Sequence, residues 1–310
     1  MGLELDQGLF YNTEKANCSV YESGLMAYNA LRLSSHYTLD YMTVPTPLNM
    51  ITNYDFIVFN WHQITMKHVT EEMIKDLRQR LGNIPIFTVV VECGPEDHLP
   101  LTPRWFDGYL VLDPTFKDSG GIFSMPRPLD EYEISPTSAR SSIPTIGSFG
   151  FATRGKRFDL IIEQVNKEFD YADIRLNFPS NPYVYQGAEL KMENNLRDLA
   201  KPGIELYITH DYLDKQALIG WLAHNDLNVF LYYRNMNGLA AVVDQAVSAH
   251  KPLLVSEDCT FRHVHKYMDP WPYMSFKDAL EVGSKAVEFM YEDWHPKNFV
   301  SKFERIFGWK

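Results

Sequence analysis

A glycine turn followed by clustered cations is the segment of the sequence whose residue types and spacing best indicate chemistry. Gly147 and Gly150 end an apolar run, and glycine lets a backbone approach a ligand without a Cβ in the way. Arg154, Lys156 and Arg157 follow, at the start of an amphipathic segment. Cations beside the unpaired N–H groups of a helix N-terminus favour an anion, most economically a phosphate. The segment therefore predicts an anion site, with an ordinary strand–helix junction and a solvated basic turn as the alternative.

The glycine turn differs from two common phosphate-binding motifs. Gly147-Ser-Phe-Gly150 lacks the G-x-G-x-x-G spacing of dinucleotide-binding folds, and no Gly-Lys-Ser/Thr follows it as in a P-loop. An NAD-linked oxidoreductase or a nucleotide-sugar epimerase also requires G-x-G-x-x-G after the first strand, and Leu9–Gly24 contains none. A dinucleotide-binding enzyme is therefore the weaker interpretation.

Hydrophobic periodicity predicts an alternation of strands and helices in both halves of the sequence. The predicted strands are 9–11, 55–60, 84–91 and 108–113 in the first half, and 143–149, 173–177, 204–209, 227–232 and 252–256 in the second. The predicted helices are 17–33, a helix after Thr70, a helix from Phe158 to Phe169, a helix that opens at Gly238, and short helices within 275–307. Apolar strands that alternate with amphipathic helices are typical of parallel sheets covered on both faces, so the predicted fold class is α/β.

The length and the proline content predict two domains. A chain of 310 residues fits two domains of about 150 residues each. Residues 125–144 contain four prolines and four serines and interrupt the alternation, which is typical of a linker. We therefore expect one Rossmann-like domain over 1–135, a second over 136–295, and a C-terminal helix over 296–310 that packs back on the first. Open α/β sheets bind ligands at the carboxyl ends of their strands, so the expected site is the cleft between the domains.

Composition and charge restrict the classes of protein to which the chain can belong. The net charge of −11 argues against a nucleic-acid-binding protein, so phosphate recognition has to come from a local basic pocket. The scattered cysteines Cys18, Cys93 and Cys259 favour neither a disulfide framework nor a zinc cluster. No apolar run approaches the roughly 20 residues of a transmembrane helix, and no signal peptide opens the sequence. We expect a cytoplasmic protein; peripheral association with a membrane and the oligomeric state are left open.

The order of short motifs in the second half resembles the donor domain of GT-B glycosyltransferases, in particular the retaining GT4-like group. In that group a Pro-x-Pro linker leads to a strand, a glycine and a basic residue that opens a helix. Here Pro126-Arg-Pro128, Ile146-Gly-Ser-Phe-Gly150 and Lys156 follow in that order. The group's E-x7-E element corresponds to Met236–Asp244, which precedes a strand ending in Ser256 as in the group. The resemblance covers most of the second half and implies two Rossmann-like domains that face each other across a cleft.

The resemblance also implies a binding site for a nucleotide diphosphate-sugar on the second domain. Lys156 is expected to pair with the diphosphate, Arg154 to assist it, and Asp244 to accept hydrogen bonds from the ribose hydroxyls. Backbone N–H groups at the helix start near Gly238 are expected to hold the distal phosphate. The complete expected donor-binding set is Gly147, Gly150, Arg154, Lys156, Gly238, Leu239, Ala240 and Asp244. Met236 stands where the group has its first Glu, and methionine does not accept a strong hydrogen bond from a sugar hydroxyl.

By the same resemblance, the chain is expected to be a glycosyltransferase without a cofactor, acting on a saccharide or lipid-linked acceptor in polysaccharide or lipopolysaccharide biosynthesis. The sequence has no Asp-x-Asp metal clamp, and cationic side chains can stabilise the leaving diphosphate instead. His263 and His265 have no third metal ligand nearby, so no metal site is expected. The departure at Met236 keeps open a second interpretation, a non-catalytic GT-B-like protein that binds a nucleotide or a partner.

Polar residues that follow two predicted strands of the first half are candidate catalytic groups. His62 follows one of these strands, and Glu92, Asp97 and His98 follow the next. At the carboxyl edge of a parallel sheet, His62, Glu92 or His98 could orient the acceptor or act as general base. The alternative is a set of solvated loop residues, because a general base is recognised by geometry.

Overall fold

The structure, a computed structural model, describes residues 5–14, 19–92, 105–134, 142–180, 186–234 and 238–309. The chain divides into two compact units. The first takes in the described residues up to Asp130, together with Gly238, Leu239 and residues 293–309. The second begins at Glu131 and takes in the remaining described residues, whereas the predicted boundary was at 135/136. Each unit contains one parallel sheet flanked by helices, which confirms the predicted α/β class with two Rossmann-like units.

The first unit contains a sheet with the strand order β2-β1-β3-β4-β5-β6. Its strands are β1 (Asp6–Asn12), β2 (Tyr37–Thr43), β3 (Phe56–Phe59), β4 (Ile86–Val90), β5 (Gly108–Val111) and β6 (Ile122–Ser124). The helices α1 (Ser19–Leu31) and α2 (Glu71–Arg80) connect strands of this sheet. Thr70 caps α2, because its side chain accepts a hydrogen bond from the Met73 N–H.

Both faces of the first sheet are covered, which explains why its central strands are apolar along their whole length. Leu9 and Tyr11 of β1 pack in the cluster that contains Leu77 of α2. Phe10, between them in sequence, packs on the opposite face in the cluster that contains Ala27 of α1. The strands β2 and β6 lie at the two edges of this sheet and were not predicted. Edge strands are less buried and carry more polar residues, so their hydrophobic pattern is weak.

The second unit contains a sheet with the strand order β11-β10-β7-β8-β9. Its strands are β7 (Thr145–Phe149), β8 (Ala172–Asn177), β9 (Ile204–Thr209), β10 (Leu227–Phe230) and β11 (Leu253–Val255). Its helices are α3 (Phe158–Glu168), α4 (Ala188–Arg197), α5 (Lys215–Ala223), α6 (Val242–Ser248) and α7 (Phe276–Asp293). After β9 the chain returns across the sheet, so β10 pairs with β7 and not with β9. The helix predicted to open at Gly238 begins at Val242.

The last helix, α8 (Pro296–Phe307), belongs to the first unit. Phe299 and Phe303 of α8 are fully buried in the core cluster beneath α1. The Phe303 ring contacts the rings of Phe56 and Phe87, which lie on two different strands. The aromatic residues near the end of the sequence therefore form part of the first core.

The predicted linker over 125–144 begins too early. Met125, Arg127 and Leu129 are buried in the first unit. A guanidinium N–H of Arg127 donates to the Leu112 carbonyl oxygen at 3.1 Å. Prolines at alternate positions suppress regular secondary structure, but they do not prevent the segment from packing against the sheet edge.

Truncation of Phe303 to alanine should destabilise the first unit by about 3–5 kcal/mol, because it leaves a cavity among the aromatic rings of the core. Chemical denaturation of the wild type and the variant measures the loss. Phe289→Ala is the control, since that side chain is half exposed and its truncation should cost about 1 kcal/mol or less. Equal effects of the two substitutions would contradict the assignment of α8 to the core.

Candidate functional site

Two chain segments meet at the carboxyl edge of the second sheet, where the strand order reverses. The central strand β7 pairs in parallel with β8 on one side and with β10 on the other. The segments that follow β7 and β10 therefore leave the sheet side by side. Reversals of this kind are where open α/β sheets bind ligands. Residues 150–157 and 231–234 are the candidate site.

The turn after β7 places the Lys156 ammonium against the backbone of Gly150. Gly150 has a φ of +134°, which L side chains rarely adopt. A Cβ at this position would also lie 2.2 Å from Lys156 Nζ. Glycine is thus required at position 150 for two reasons: the backbone conformation, and the space that the Lys156 side chain occupies. A short 3-10 turn over Arg154–Lys156 returns the chain towards α3 and brings Lys156 back over the strand end.

Lys156 is a buried cation whose hydrogen-bond partner is neutral. The residue is only 9% exposed, and its Nζ donates a hydrogen bond to the Tyr232 hydroxyl at 2.8 Å. No carboxylate among the residues that the structure describes lies within ion-pair distance of Nζ. Burial, together with the nearby Arg234 cation, lowers the pKa of Lys156 to about 7. Holding the charged form in this place costs on the order of 5 kcal/mol.

Tyr232 and Arg234, which follow β10, complete the surroundings of Lys156. The Tyr232 ring packs against Phe230 and Phe261 and is almost fully buried. Burial raises the pKa of Tyr232, so its hydroxyl stays protonated. The Arg234 guanidinium lies over the same ring, 5.5 Å from its centroid, and Lys156 Nζ lies 4.7 Å from it. Both residues were missed in the sequence analysis, although the run Tyr-Tyr-Arg across the end of the predicted strand 227–232 was a readable signal.

The segment after β11 fixes the backbone beneath these side chains. Asp258 accepts the Arg234 N–H at 2.7 Å and the Thr260 N–H at 3.0 Å through its two carboxylate oxygens. The Ser256 hydroxyl donates to the Tyr232 carbonyl oxygen at 2.8 Å. Both ends of the segment 232–234 are therefore held by hydrogen bonds between its backbone and the side chains of Ser256 and Asp258. The position of the two cations is built into the sheet edge.

Gly147, which was predicted to contact the donor, lies under the side chain of Asn225. A Cβ on Gly147 would lie 1.9 Å from Asn225 Nδ2, so the amide of that asparagine occupies the space above the strand. Asn225 also accepts from Arg175 at 2.7 Å and donates to Asn228 at 2.8 Å. The donor contact of Gly147 stays a prediction, and in the structure this part of β7 faces a buried polar network.

Arg154 lies against α4, and the cation beside Lys156 is Arg234. Arg154 is exposed and lines a cavity of about 480 Å³ together with Lys191 and Met192 of α4. It also borders a neighbouring cavity of about 380 Å³ that reaches Arg157. The assistance of Lys156 by Arg154 stays a prediction; in the structure the cation next to Lys156 is Arg234, which lowers the pKa of the lysine.

The predicted phosphate contacts before α6 are only partly available in the structure. The Ala240 N–H donates to the Thr260 carbonyl oxygen at 3.1 Å, and its contact with phosphate stays a prediction. Leu239 lies in the first unit, and Asp244 is buried on α6 at 3% exposure. The contact of Asp244 with ribose stays a prediction. Met236 lies outside the described residues.

His62 and Glu92 of the first unit lie close together after β3 and β4. His62 Nε2 is 3.5 Å from a Glu92 carboxylate oxygen. His62 Nδ1 accepts the Ile64 N–H at 3.3 Å, so in neutral His62 the proton is on Nε2 and points to Glu92. Glu92 is the half-exposed member of the pair, and a Cβ on Gly238 would lie 3.4 Å from its Cγ. His98 and Asp97 lie outside the described residues.

The first unit also contains a cavity of about 650 Å³ beside α2. Its lining includes Glu72 and Asp76, as well as Leu48 and Tyr11. Arg80, also in the lining, pairs with Asp76 and donates to the Leu48 carbonyl oxygen. Two carboxylates give this cavity the wrong charge for a diphosphate, in contrast with the surroundings of Lys156.

The histidines near β11 show no grouping suited to a metal. In the described part of the chain, no three His, Cys, Asp or Glu side chains are arranged to hold a metal ion. His265 Nε2 lies 3.1 Å from the Ser256 carbonyl oxygen, and His263 is fully buried. The geometry therefore gives His265 a role in holding the segment after β11.

No protein-family model matches the sequence, and no curated protein is significantly similar to it. The fold is nevertheless similar to those of solved structures over almost the whole chain. Anabaena HepE in complex with UDP and glucose is 10% identical, with a TM-score of 0.64 over 97% of this chain and 99% of that chain. A glycosyltransferase from Rickettsia africae is 10% identical, with a TM-score of 0.64 over 98% of each chain. An alpha-glucosyltransferase in complex with UDP is 9% identical, with a TM-score of 0.60 over 98% of this chain and 99% of that chain.

The TM-scores show a shared fold, and at identities this low the chemistry has to be argued from the site. Among the helices that the structure describes, none combines the length and the apolar character needed to cross a membrane.

Replacing Lys156 with methionine should raise the free energy of unfolding at neutral pH by about 1–4 kcal/mol, because the buried charge is removed. The folded-state pKa is depressed, so between pH 7 and 10.5 the unfolded lysine keeps a proton that the folded lysine has lost. Wild-type stability therefore rises with pH across this window, and the advantage of the variant shrinks. Urea denaturation near the two ends of the window measures both effects.

The exposed Lys167→Met on α3 is the control and should change stability little at either pH. A Lys156→Met protein that is less stable than the wild type at neutral pH would contradict a costly buried ammonium.

Proposed function

We propose that this chain, which has the GT-B fold, binds the diphosphate of a nucleotide-sugar at Lys156 and transfers the sugar to an acceptor hydroxyl. The observation that carries the proposal is the buried Lys156 ammonium at the reversal point of the second sheet. A cation held at a cost in stability, with a neutral hydroxyl as its hydrogen-bond partner, is suited to an anion that is absent from the protein itself.

A diphosphate fits this site better than a single carboxylate does. Lys156 and Arg234 lie on one tyrosine ring and repel each other, as the lowered pKa of Lys156 indicates. A ligand with two neighbouring negative groups relieves the repulsion of both cations at once. HepE and the alpha-glucosyltransferase were solved with UDP, so UDP is the nucleotide that we propose for this chain.

The same cations supply the chemistry of the transfer step. When the bond between the sugar and the diphosphate breaks, negative charge grows on the leaving phosphate oxygens. A positioned ammonium and guanidinium stabilise this charge without having to reorganise, which is a large source of rate enhancement. Polysaccharide or lipopolysaccharide assembly, with a saccharide or lipid-linked acceptor, is the proposed setting.

Substitution of Lys156 by glutamine should weaken the binding of UDP about 30-fold or more and abolish the release of UDP from UDP-glucose, because a desolvated charge contact is lost. Calorimetry measures the binding, and a coupled assay for UDP measures the release. Lys167→Gln is the control, because this lysine is exposed and lies on the same helix that follows the turn.

Each result of this experiment separates one interpretation from another. Binding and turnover in the wild type, both lost in Lys156→Gln, support the transferase. Tight UDP binding without turnover of any sugar nucleotide or acceptor indicates the non-catalytic nucleotide-binding protein. A wild type that binds no nucleotide diphosphate removes the proposal.

Within the first unit, Glu92 is the residue that we propose orients the acceptor hydroxyl, because it is half exposed and the Nε2 proton of neutral His62 points to it. Glu92→Gln should lower kcat for transfer about 100-fold while UDP affinity stays unchanged, since general-base or orienting groups act on the chemical step. Steady-state kinetics and calorimetry test this, with Glu71→Gln as an exposed control on α2. A normal kcat in Glu92→Gln would exclude the role.

A further inference from the structure

We infer that Tyr232 is the residue that positions the Lys156 ammonium for the diphosphate, and that Arg234 is the second cation of the same site. The inference rests on the proposed function and assigns roles to two residues that follow β10. Three side chains of the site then have different roles. Lys156 and Arg234 provide the charge, and Tyr232 sets where that charge lies.

The Tyr232 hydroxyl is placed to fix the end of the Lys156 side chain. It accepts the Lys156 hydrogen bond at 2.8 Å, and both side chains are buried. A lysine side chain has several rotatable bonds, so a charge on its end needs a fixed partner to stay in one place. Gly150 limits Nζ on one side and the tyrosine hydroxyl holds it on the other. The tyrosine itself is locked by contacts with Phe230 and Phe261.

Arg234 lies next to both Tyr232 and the turn that carries Lys156. Its guanidinium lies over the Tyr232 ring, and its Cγ would be 3.1 Å from a Cβ at Gly155. Glycine at 155 thus gives the arginine stem room to pass the turn that carries Lys156. The Tyr233 N–H donates to the Gly155 carbonyl oxygen at 2.8 Å, which joins the two segments through their backbones. Arg234 is therefore directed towards the lysine by the fold itself.

The positive charges of Lys156 and Arg234 repel each other. Two cations placed around one ring destabilise each other in a site with low water content, and Arg234 contributes to the depression of the Lys156 pKa. Proteins bury like charges at a cost in stability, which here is recovered when an anion binds between them. The tyrosine ring reduces this cost, because its electron-rich face attracts both cations.

Tyr232→Phe and Arg234→Gln should each weaken UDP binding about tenfold or more, through the loss of a hydrogen bond to a charged group or of a charged contact. Calorimetry at a series of pH values between about 6 and 9 adds a readout that a purely structural role would not move. In the wild type, UDP affinity falls as the pH rises through the pKa of free Lys156, because the neutral amine has to take up a proton before it pairs with the anion.

The two substitutions should shift the pH midpoint of binding in opposite directions. Loss of the Tyr232 hydroxyl removes a hydrogen bond that stabilises the ammonium, so the midpoint moves to lower pH. Loss of the Arg234 charge removes a repulsion, so the midpoint moves to higher pH. Tyr207→Phe is the matched control, because this tyrosine on β9 lies outside the candidate site and is 54% exposed, and it should behave as the wild type.

The outcomes separate this inference from the proposed function. Wild-type binding with unchanged affinity and midpoint in both variants overturns the roles of Tyr232 and Arg234 and leaves the transferase proposal standing. A wild type that binds no UDP overturns both. Circular dichroism shows whether Tyr232→Phe folds. If it does not, the role of Tyr232 as a positioning residue is overturned, because the tyrosine is then needed for folding itself. The upward midpoint shift of Arg234→Gln then decides whether Arg234 is the second cation.

Discussion

The contact of the Lys156 ammonium with the Tyr232 hydroxyl over the backbone of Gly150 is the interaction on which the candidate site depends. A lysine is rarely buried without an acidic partner, because water solvates the ammonium far better than a protein interior does. Here the burial comes from a glycine that leaves room for Nζ and from an aromatic ring that receives it. The cost in stability is the observation on which the proposed anion site rests.

Sheet topology brings the partners of this contact together. Lys156 and Tyr232 are 76 positions apart in the sequence, with three strands and three helices of the described chain between them. They become neighbours because β10 pairs with β7 after the chain has crossed back over the sheet. The segment after β11 adds backbone hydrogen bonds to the same edge, through Ser256 and Asp258. The reversal of strand order therefore creates the site, and the helices around it supply support.

Local patterns named two residues of the candidate site, Gly150 and Lys156, whereas other residues named with them lie in different surroundings. Gly150 and Lys156 were identified because a glycine turn and a cation at a helix start act over a few residues. Gly147 and Arg154 were placed in the site because they are close to Lys156 in the sequence, and the Ala240 N–H was placed there by the family resemblance, yet all three have other neighbours in the fold. Asn225 fills the space over Gly147, the Thr260 carbonyl takes the Ala240 N–H, and Arg154 lines cavities against α4. Which side of an element faces a ligand depends on what packs on its other side.

The alternation of apolar strands and amphipathic helices determined the α/β class and most of the elements, because a side-chain period of two or of 3.6 is a property of consecutive residues. The edge strands β2 and β6 escaped notice since partial exposure weakens that period. Tertiary structure alone decided that Tyr232 and Arg234 stand beside Lys156, and which aromatic rings of the first core contact α8, the helix that was predicted to pack there. Such pairings follow from strand order and from the packing of distant segments, and no spacing within the sequence encodes the distance between atoms that only the folded chain brings together.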